Sequence, residues 1–388
     1  MFTCSTGSAP DLEFPVQYVQ YIQYSRSAPR PCPRMAYMRH LQNEPAGEND
    51  PSVPSNLSTL IGDHAASESG CALVEHGHRV LLGLSGKEPK DPSGPTGLLA
   101  AILTNEIPAE ENLGVYGLLL DAKGHIQTDL RILKRPGDGL LAETEPEGAR
   151  AAAEILGRYA PFSRVKLEDL SASGESPWST LGLYGPGAGE ALRQSLGETP
   201  KLAEHQTAEI TPPGSDSPLL VAGVARPVAG YDLIGPAPVL REARELLRNA
   251  GAVAASPQAY EAARVEEGVP RFGVDLTPDN FPGEAGILDR AVSFAKGCYP
   301  GQETVARMHY RGHPNRALYR LSVEVAQLGE GGVPEAGTRI TQGDKEVGLL
   351  TSLSPLGDGA ALGYLHRKAD TASPLDAAGA PVRALEAV

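Results

Sequence analysis

Long apolar runs are missing from this chain. No stretch of about 18 apolar residues occurs, so no membrane-spanning helix is expected. Positive charge is also scarce, with 34 Lys and Arg against 48 Asp and Glu. The net charge of −14 repels nucleic acid and anionic membranes as a whole, so an anionic ligand needs a local basic patch. Cysteine is limited to Cys4, Cys32, Cys71 and Cys298. None forms a CxxC pair, which leaves zinc-finger and thioredoxin readings without support. The wide scatter argues against a disulfide scaffold, and a reducing cytoplasm fits it. The nine histidines form no His/Cys set, so no metal site is expected. His76-Gly77-His78 is a lone i, i+2 pair. No G-x-S-x-G nucleophile elbow is present. The first residues lack a charged start followed by an apolar run, so no secretory signal is expected.

What is present describes a globular chain. The 388 residues are 41% hydrophobic and 21% charged, which suits two or three domains with a sizeable core. Residues 1–56 read as a poorly ordered extension rich in Pro, Ser, Arg and Gln. A transit peptide and a natural start at Met35 or Met38 stay open as alternatives there. Arg79 to Leu84 reads as a buried strand and Thr96 to Leu103 as a short helix. Val115 to Asp121 and His125 to Leu133 read as a hairpin around Lys123-Gly124. Leu181 to Gly185 followed by Ala188 to Leu196 repeats the strand-glycine-helix plan, which suggests two related halves. Pro238 to Asn249 carries a helical apolar face with Gly251 near its end, and Ser256-Pro257 opens a further helix that Gly268 closes. After Ala317 the pattern changes to period two over Tyr319, Leu321, Val323 and Val325. Gly343-Asp344 then marks a type II′ hairpin, so a small barrel or sandwich is expected at the end.

One segment reverses the global charge. Lys296 to Arg320 holds Lys296, Arg307, Arg311, Arg316 and Arg320 against Glu303 alone, a local +4. Such a patch suits an anion, and a solvated basic face is the plain alternative. Cys298 lies there between Gly297 and Gly301. A neighbouring ammonium from Lys296 is expected to favour its thiolate. Gly185-Pro186-Gly187-Ala188-Gly189 resembles part of a dinucleotide loop, but no acidic residue about twenty positions later completes it.

The run Lys296-Gly297-Cys298-Tyr299-Pro300-Gly301-Gln302-Glu303-Thr304-Val305-Ala306-Arg307 resembles the K-G-C-[FY]-x-G-Q-E-x-x-x-R signature of the YgfZ family. Arg264 to Pro270 resembles the family's R-[IV]-E-x-G-[IV]-P turn, and Phe281 to Glu284 its P-x-E element. Looser matches occur at Leu103 to Glu106, Gly124 to Asp129, Tyr184 to Ala188 and Gly230 to Leu233. Together they cover about residues 75 to 365.

The resemblance implies an α+β fold shared with the aminomethyltransferase T protein. Two intertwined, pseudo-symmetric α+β subdomains would span 57–315 around a central folate channel, with a small C-terminal β-barrel at 316–388. It implies tetrahydrofolate as cofactor and iron–sulfur clients or assembly proteins as partners, with no nucleic acid and no membrane. It implies maturation or repair of iron–sulfur enzymes, with Cys298 as the functional thiol. The implied folate contacts are Asp129, Tyr231, Asp232, Glu267, Lys296, Gly297, Tyr299, Gln302, Glu303 and Arg307. Four cysteines at these spacings make a poor permanent cluster site. A folate-dependent one-carbon transferase and a non-catalytic docking scaffold remain alternatives. Against the transferase, Gln127-Thr128-Asp129-Leu130 stands where that enzyme has Asp-Asp-Leu, and Tyr260 where it places a folate-contacting arginine.

Overall fold

Strand periodicity sorts this chain into layers. In the computed structural model, which describes residues 57–86, 94–136, 139–174, 176–197, 200–324 and 334–388, two sheets lie in the first two-thirds of the molecule. The expected extension over 1–56 lies outside the described residues, as does Val325. Helix α1 (Leu57–Ser69) leads into β1 (Ala72–Glu75) and β2 (Val80–Gly86). These neighbours part company at once. Strand β2 sits in a five-stranded sheet with β3 (Val115–Leu120), β4 (Ile126–Lys134), β5 (Leu140–Thr144) and β6 (Val165–Asp169). Strand β1 instead joins β7 (Trp178–Tyr184), β8 (Thr207–Ile210), β9 (Leu219–Val224), β10 (Gly230–Pro236) and β11 (Val253–Ala255) in a six-stranded sheet. The chain therefore starts one sheet, builds the other and returns, which is the intertwining expected of the two halves.

Each sheet has one face covered by helices. Leu82, Leu130, Ile132 and Ala142 pack against α2 (Pro95–Ile102) and α3 (Pro146–Tyr159). Leu181, Leu183 and Leu233 pack against α4 (Ala188–Leu196) and α5 (Ala237–Asn249). Side chains alternate along a strand, so the residues between these face the other way, into the space between the sheets. At one end that space is apolar, filled by Leu81, Leu133, Leu141, Leu220, Ala222 and Ile234. Two and four residues further along the same strands the same face turns polar: Arg79, Arg131, Asp129, Glu143, Thr180 and Asp232. Tight steric rules accompany this. A Cβ on Gly182 would lie 2.3 Å from the ring of Tyr184, so only glycine lets that ring fold over the strand.

Two further glycines are explained by close approach. Gly185 has φ 109°, and a Cβ there would lie 2.6 Å from the Gly70 carbonyl oxygen. Gly187 donates its backbone N–H to that same oxygen at 2.8 Å. The glycines of the 185–189 run at these two positions thus seat the β7–α4 turn on the end of α1.

Helix α6 (Pro257–Glu266), capped by the Ser256 hydroxyl as expected, leads toward the last third. Strands β12 (Arg316–Val323), β13 (Arg339–Gln342), β14 (Lys345–Leu353), β15 (Ala360–His366), β16 (Leu375–Ala377) and β17 (Ala380–Ala387) form a closed barrel. Gln342 pairs with Lys345 across Gly343-Asp344, with Gly343 at φ 59° as a type II′ turn requires. Buried Arg264 ties α6 to the barrel: it bonds Asp275 at 2.7 Å and the Ser352 hydroxyl at 2.8 Å. It also donates to the Val269 carbonyl at 2.6 Å, so the arginine of the 264–270 turn is an internal clamp.

Candidate functional site

The polar end of the inter-sheet face is a network of ion pairs and hydrogen bonds. Arg131 binds Glu143 through Nε at 2.6 Å and Asp232 through Nη2 at 2.6 Å. Arg79 Nη1 approaches both, 3.4 Å from Glu143 and 3.6 Å from Asp232. Two guanidinium groups thus neutralise two carboxylates that are 5% and 1% exposed, which is the condition for burying such charges. Tyr184 donates its hydroxyl to Asp232 at 2.5 Å. With that proton committed, His76 Nε2, 2.8 Å from the same hydroxyl oxygen, is the donor to it. Burial, together with Arg79, holds the His76 pKa well below its ordinary value, so the ring is neutral and protonated on Nε2. Asp232 is therefore fully engaged by Tyr184, Arg131 and Arg79.

A second constellation borders the first. Tyr116 at the start of β3 donates to Asp129 on β4 at 2.9 Å. Burial, and then the nearby Glu145 carboxylate, raises the Asp129 carboxyl from 3.8 to about 7. Glu145 goes the other way: burial opposes its charge, but the His78 hydrogen bond and the Arg271 and Arg79 charges bring it down to about 2. His78 Nε2 lies 3.5 Å from Glu145. Two neighbouring carboxyls with such divergent ionisation form the arrangement that acid–base chemistry uses. Arg290 lies over the Tyr116 ring at 5.5 Å and pairs with Glu204 at 3.0 Å. It also lines a cavity of about 180 Å³ with Arg226, Arg320, Glu267 and Glu386.

The signature segment occupies the other end of β3. Leu118 and Leu120 join Tyr299, Val305, Phe272 and Ile287 in one buried cluster. Tyr116 to Leu120 is four residues, about 13 Å along a strand. The segment is pinned at several points. The Thr104 hydroxyl donates to the Ala291 carbonyl at 2.6 Å, and the Thr104 carbonyl accepts from Ser293 N at 3.0 Å. Asn105 donates to both Tyr116 and Arg290 carbonyls, at 3.0 and 2.8 Å. Residues 103–106 are thus a bracket for the approach to the signature. Lys296 donates to the carbonyls of Ala100 and Leu103 at the end of α2, where cations are favoured. Burial brings its pKa down to about 8. Its hydrogen bonds go to those carbonyls and not to Cys298. Beyond α7 (Leu288–Ala291), Gly301 (φ 80°) opens α8 (Gln302–Arg311) and sits on the β3–β4 turn, where a Cβ would lie 2.6 Å from the Asp121 carbonyl oxygen and 2.7 Å from Gly124 Cα.

On this rigid mount Cys298 and Gly297 are exposed, and a Cβ on Gly297 would meet open space. Cys71, by contrast, is buried, and burial pushes its thiol up to about 11. Gln302 and Glu303 occupy the first turn of α8, and Arg307 is exposed one turn on. The local +4 is largely spent: Arg316 bonds Glu284 and the Asp279 carbonyl, and Arg320 bonds Glu386.

The structure thus distributes the sequence-derived contacts over four places. Asp129 and Asp232 belong to the inter-sheet polar region. Lys296, Gly297, Tyr299, Gln302, Glu303 and Arg307 belong to the signature mount. Glu267 caps α6 beside the arginine-lined cavity, and Tyr231 faces the helix layer, on the opposite side of β10 from Asp232. Arg79, Tyr116, Glu143, Glu145, Tyr184 and Arg290 were missed. Their signal is in the sequence: charges at alternate positions of otherwise apolar strands, as in Ile126–Lys134, mark a strand face that buries polar groups.

No family model matches the chain. In the solved structures, the glycine cleavage system aminomethyltransferase T from Bartonella henselae superposes with TM-score 0.69 at 19% identity, covering 84% of this chain and 88% of that one. The fold is that of this transferase class. Among curated proteins, the tRNA-modifying protein YgfZ of Yersinia enterocolitica is 30% identical over 203 residues, 52% of this chain and 57% of that protein. The protein of the same name from Klebsiella pneumoniae is 28% identical over 269 residues, 68% of this chain and 75% of that one. The chain thus spans little more than half the length of the first relative and three-quarters of the second. The chain is thus similar in sequence to proteins named YgfZ over these spans.

Proposed function

We propose that this protein binds tetrahydrofolate and, with the thiol of Cys298, assists maturation or repair of iron–sulfur enzymes in the cytoplasm. The observation that carries the reading is the placement of Cys298: exposed, and on a loop fixed by Lys296, Tyr299 and the Gly301–Gly124 contact. A thiol serving only the core would sit as Cys71 does. The residues present suit a folate. Its pterin edge offers N–H donors, for which the Asp129 carboxyl with Tyr116 is the partner. Its anionic tail would meet Arg226, which donates to the uncharged Glu267 carbonyl at that cavity. When bound, tetrahydrofolate supplies the nitrogens that carry a one-carbon unit. Iron–sulfur clients dock on the side that exposes Cys298, where Arg307, Arg311 and Tyr310 are also exposed.

The divergent Asp129 and Glu145 carboxyls favour a second reading, one-carbon transfer with Asp129 as the acid–base group. The experiment compares Cys298→Ala, Cys298→Ser and Asp129→Asn for tetrahydrofolate binding by calorimetry, methylene-group transfer, and support of an iron–sulfur reporter enzyme. The first reading expects near-native melting and folate binding in the cysteine variants with reporter support lost. Full reporter support in both removes Cys298 from the mechanism. Transfer activity that depends on Asp129 and ignores Cys298 selects the second reading. Absence of heat and of thermal stabilisation at saturating tetrahydrofolate sinks both, since ligand at 100 times its Kd adds about 2.7 kcal/mol.

A further inference from the structure

His64 on α1 is 8% exposed, yet it is surrounded by carboxylates. A ring nitrogen of His64 and one oxygen from each of Glu68 and Glu266 all lie within 4.8 Å of one another. Glu266 ends α6, so the cluster joins two separate helices. Nε2 of His64 is 3.2 Å from Glu266 Oε2, but it is shut off from solvent and makes no hydrogen bond there. The oxygen is close while lying off the direction the nitrogen points. That is how two adjacent ligands of one cation stand: donors at about 2.1 Å from a metal at right or tetrahedral angles are about 3.0–3.4 Å apart. Glu68 Oε2 is 4.0 Å from the other ring nitrogen, on an exposed side chain free to close the remaining gap.

Burial raises the Glu266 carboxyl, His64 opposes that, and the Asp358 and Glu68 carboxylates beside it raise it further. Asp358 lies in the turn between β14 and β15 of the barrel and is exposed. Glu68 and Glu266 thus flank one imidazole, with Asp358 beside Glu266, an excess of negative charge that a dication would relieve.

We infer that His64, Glu68 and Glu266, with Asp358 beside them, form a site for a divalent transition-metal cation that staples α1 to the end of α6 and the barrel. One imidazole nitrogen with carboxylate oxygens suits Zn²⁺, Mn²⁺, Fe²⁺ or Co²⁺, whereas an all-oxygen set would suit Ca²⁺ or Mg²⁺. The site is remote in kind from the folate and Cys298 readings: it uses none of their residues, and its role is to hold elements together.

The test titrates the full-length protein with Zn²⁺ by calorimetry and with Co²⁺ by absorption. One ion per chain is expected, with Co²⁺ bands free of sulfur-to-metal charge transfer and a raised melting temperature. His64→Ala, Glu266→Gln and Glu68→Gln should each weaken binding by about tenfold or more, while Cys298→Ala leaves it intact. Glu68→Gln alters an exposed side chain, so it decides the matter if His64→Ala fails to fold. Absence of binding in the wild type overturns the proposal. So does Zn²⁺ binding that is unchanged in Glu68→Gln and Glu266→Gln, or that shows thiolate bands. In that case the His64–Glu266 contact is a plain ion pair.

Discussion

Asp129→Asn is the most informative single perturbation. The native carboxyl ionises near 7, whereas an unfolded aspartate ionises at 3.8. The folded state therefore holds a proton through this interval that the unfolded state has released. Stability falls as pH rises from about 4 to about 7, and is flat with respect to this group above that. At about 1.4 kcal/mol per pKa unit, full ionisation of the native group costs about 4 kcal/mol. Asp129 has partial contact with solvent, and halving for that gives about 2 kcal/mol. Asparagine keeps an oxygen for the Tyr116 hydroxyl and cannot ionise. The variant should therefore gain about 2–4 kcal/mol relative to wild type between pH 4 and pH 8. Glu145 does not confuse the window, because its carboxyl is held near 2 and its contribution is lost only below about pH 4.5. Denaturant melts of both proteins at closely spaced pH values measure the difference directly. A constant offset across the series would mean that Asp129 ionises normally. The acid–base role would then have no physical basis.

Gly301→Ala should destabilise the protein by about 1–3 kcal/mol, since its Cβ would meet Asp121 and Gly124 at φ 80°; an unchanged denaturation midpoint would refute the close contact. Lys296→Ala should lower the melting temperature to the same extent at all salt concentrations, because its hydrogen bonds are partly buried. Arg307→Ala should leave stability alone and weaken folate or client binding more at low salt, where an exposed charge is least screened. Tyr184→Phe strands two buried groups, Asp232 Oδ1 and His76 Nε2–H, and should cost about 2–3 kcal/mol; a neutral result by chemical denaturation would contradict the assigned network.

The sequence by itself determined the local elements and the signature. Period-two alternation gave the strands of the barrel, Ser256 and Gly251 marked helix ends, and Gly343-Asp344 marked a two-residue hairpin. These follow from short-range sterics and hydrogen bonding, which neighbouring residues encode. The Lys296–Arg307 run was equally legible as a resemblance to a family signature. Only tertiary structure decided what those residues touch. Lys296, two positions from Cys298 in sequence, turns to the end of α2 about 200 residues earlier. Tyr231 and Asp232, adjacent in sequence, lie on opposite faces of one strand. Arg79, from the turn before β2, and Arg131, Glu143 and Asp232, from three strands in two sheets, have nothing local that couples them. Their pairing follows from which sheet faces meet, and burial then makes each charge require the others.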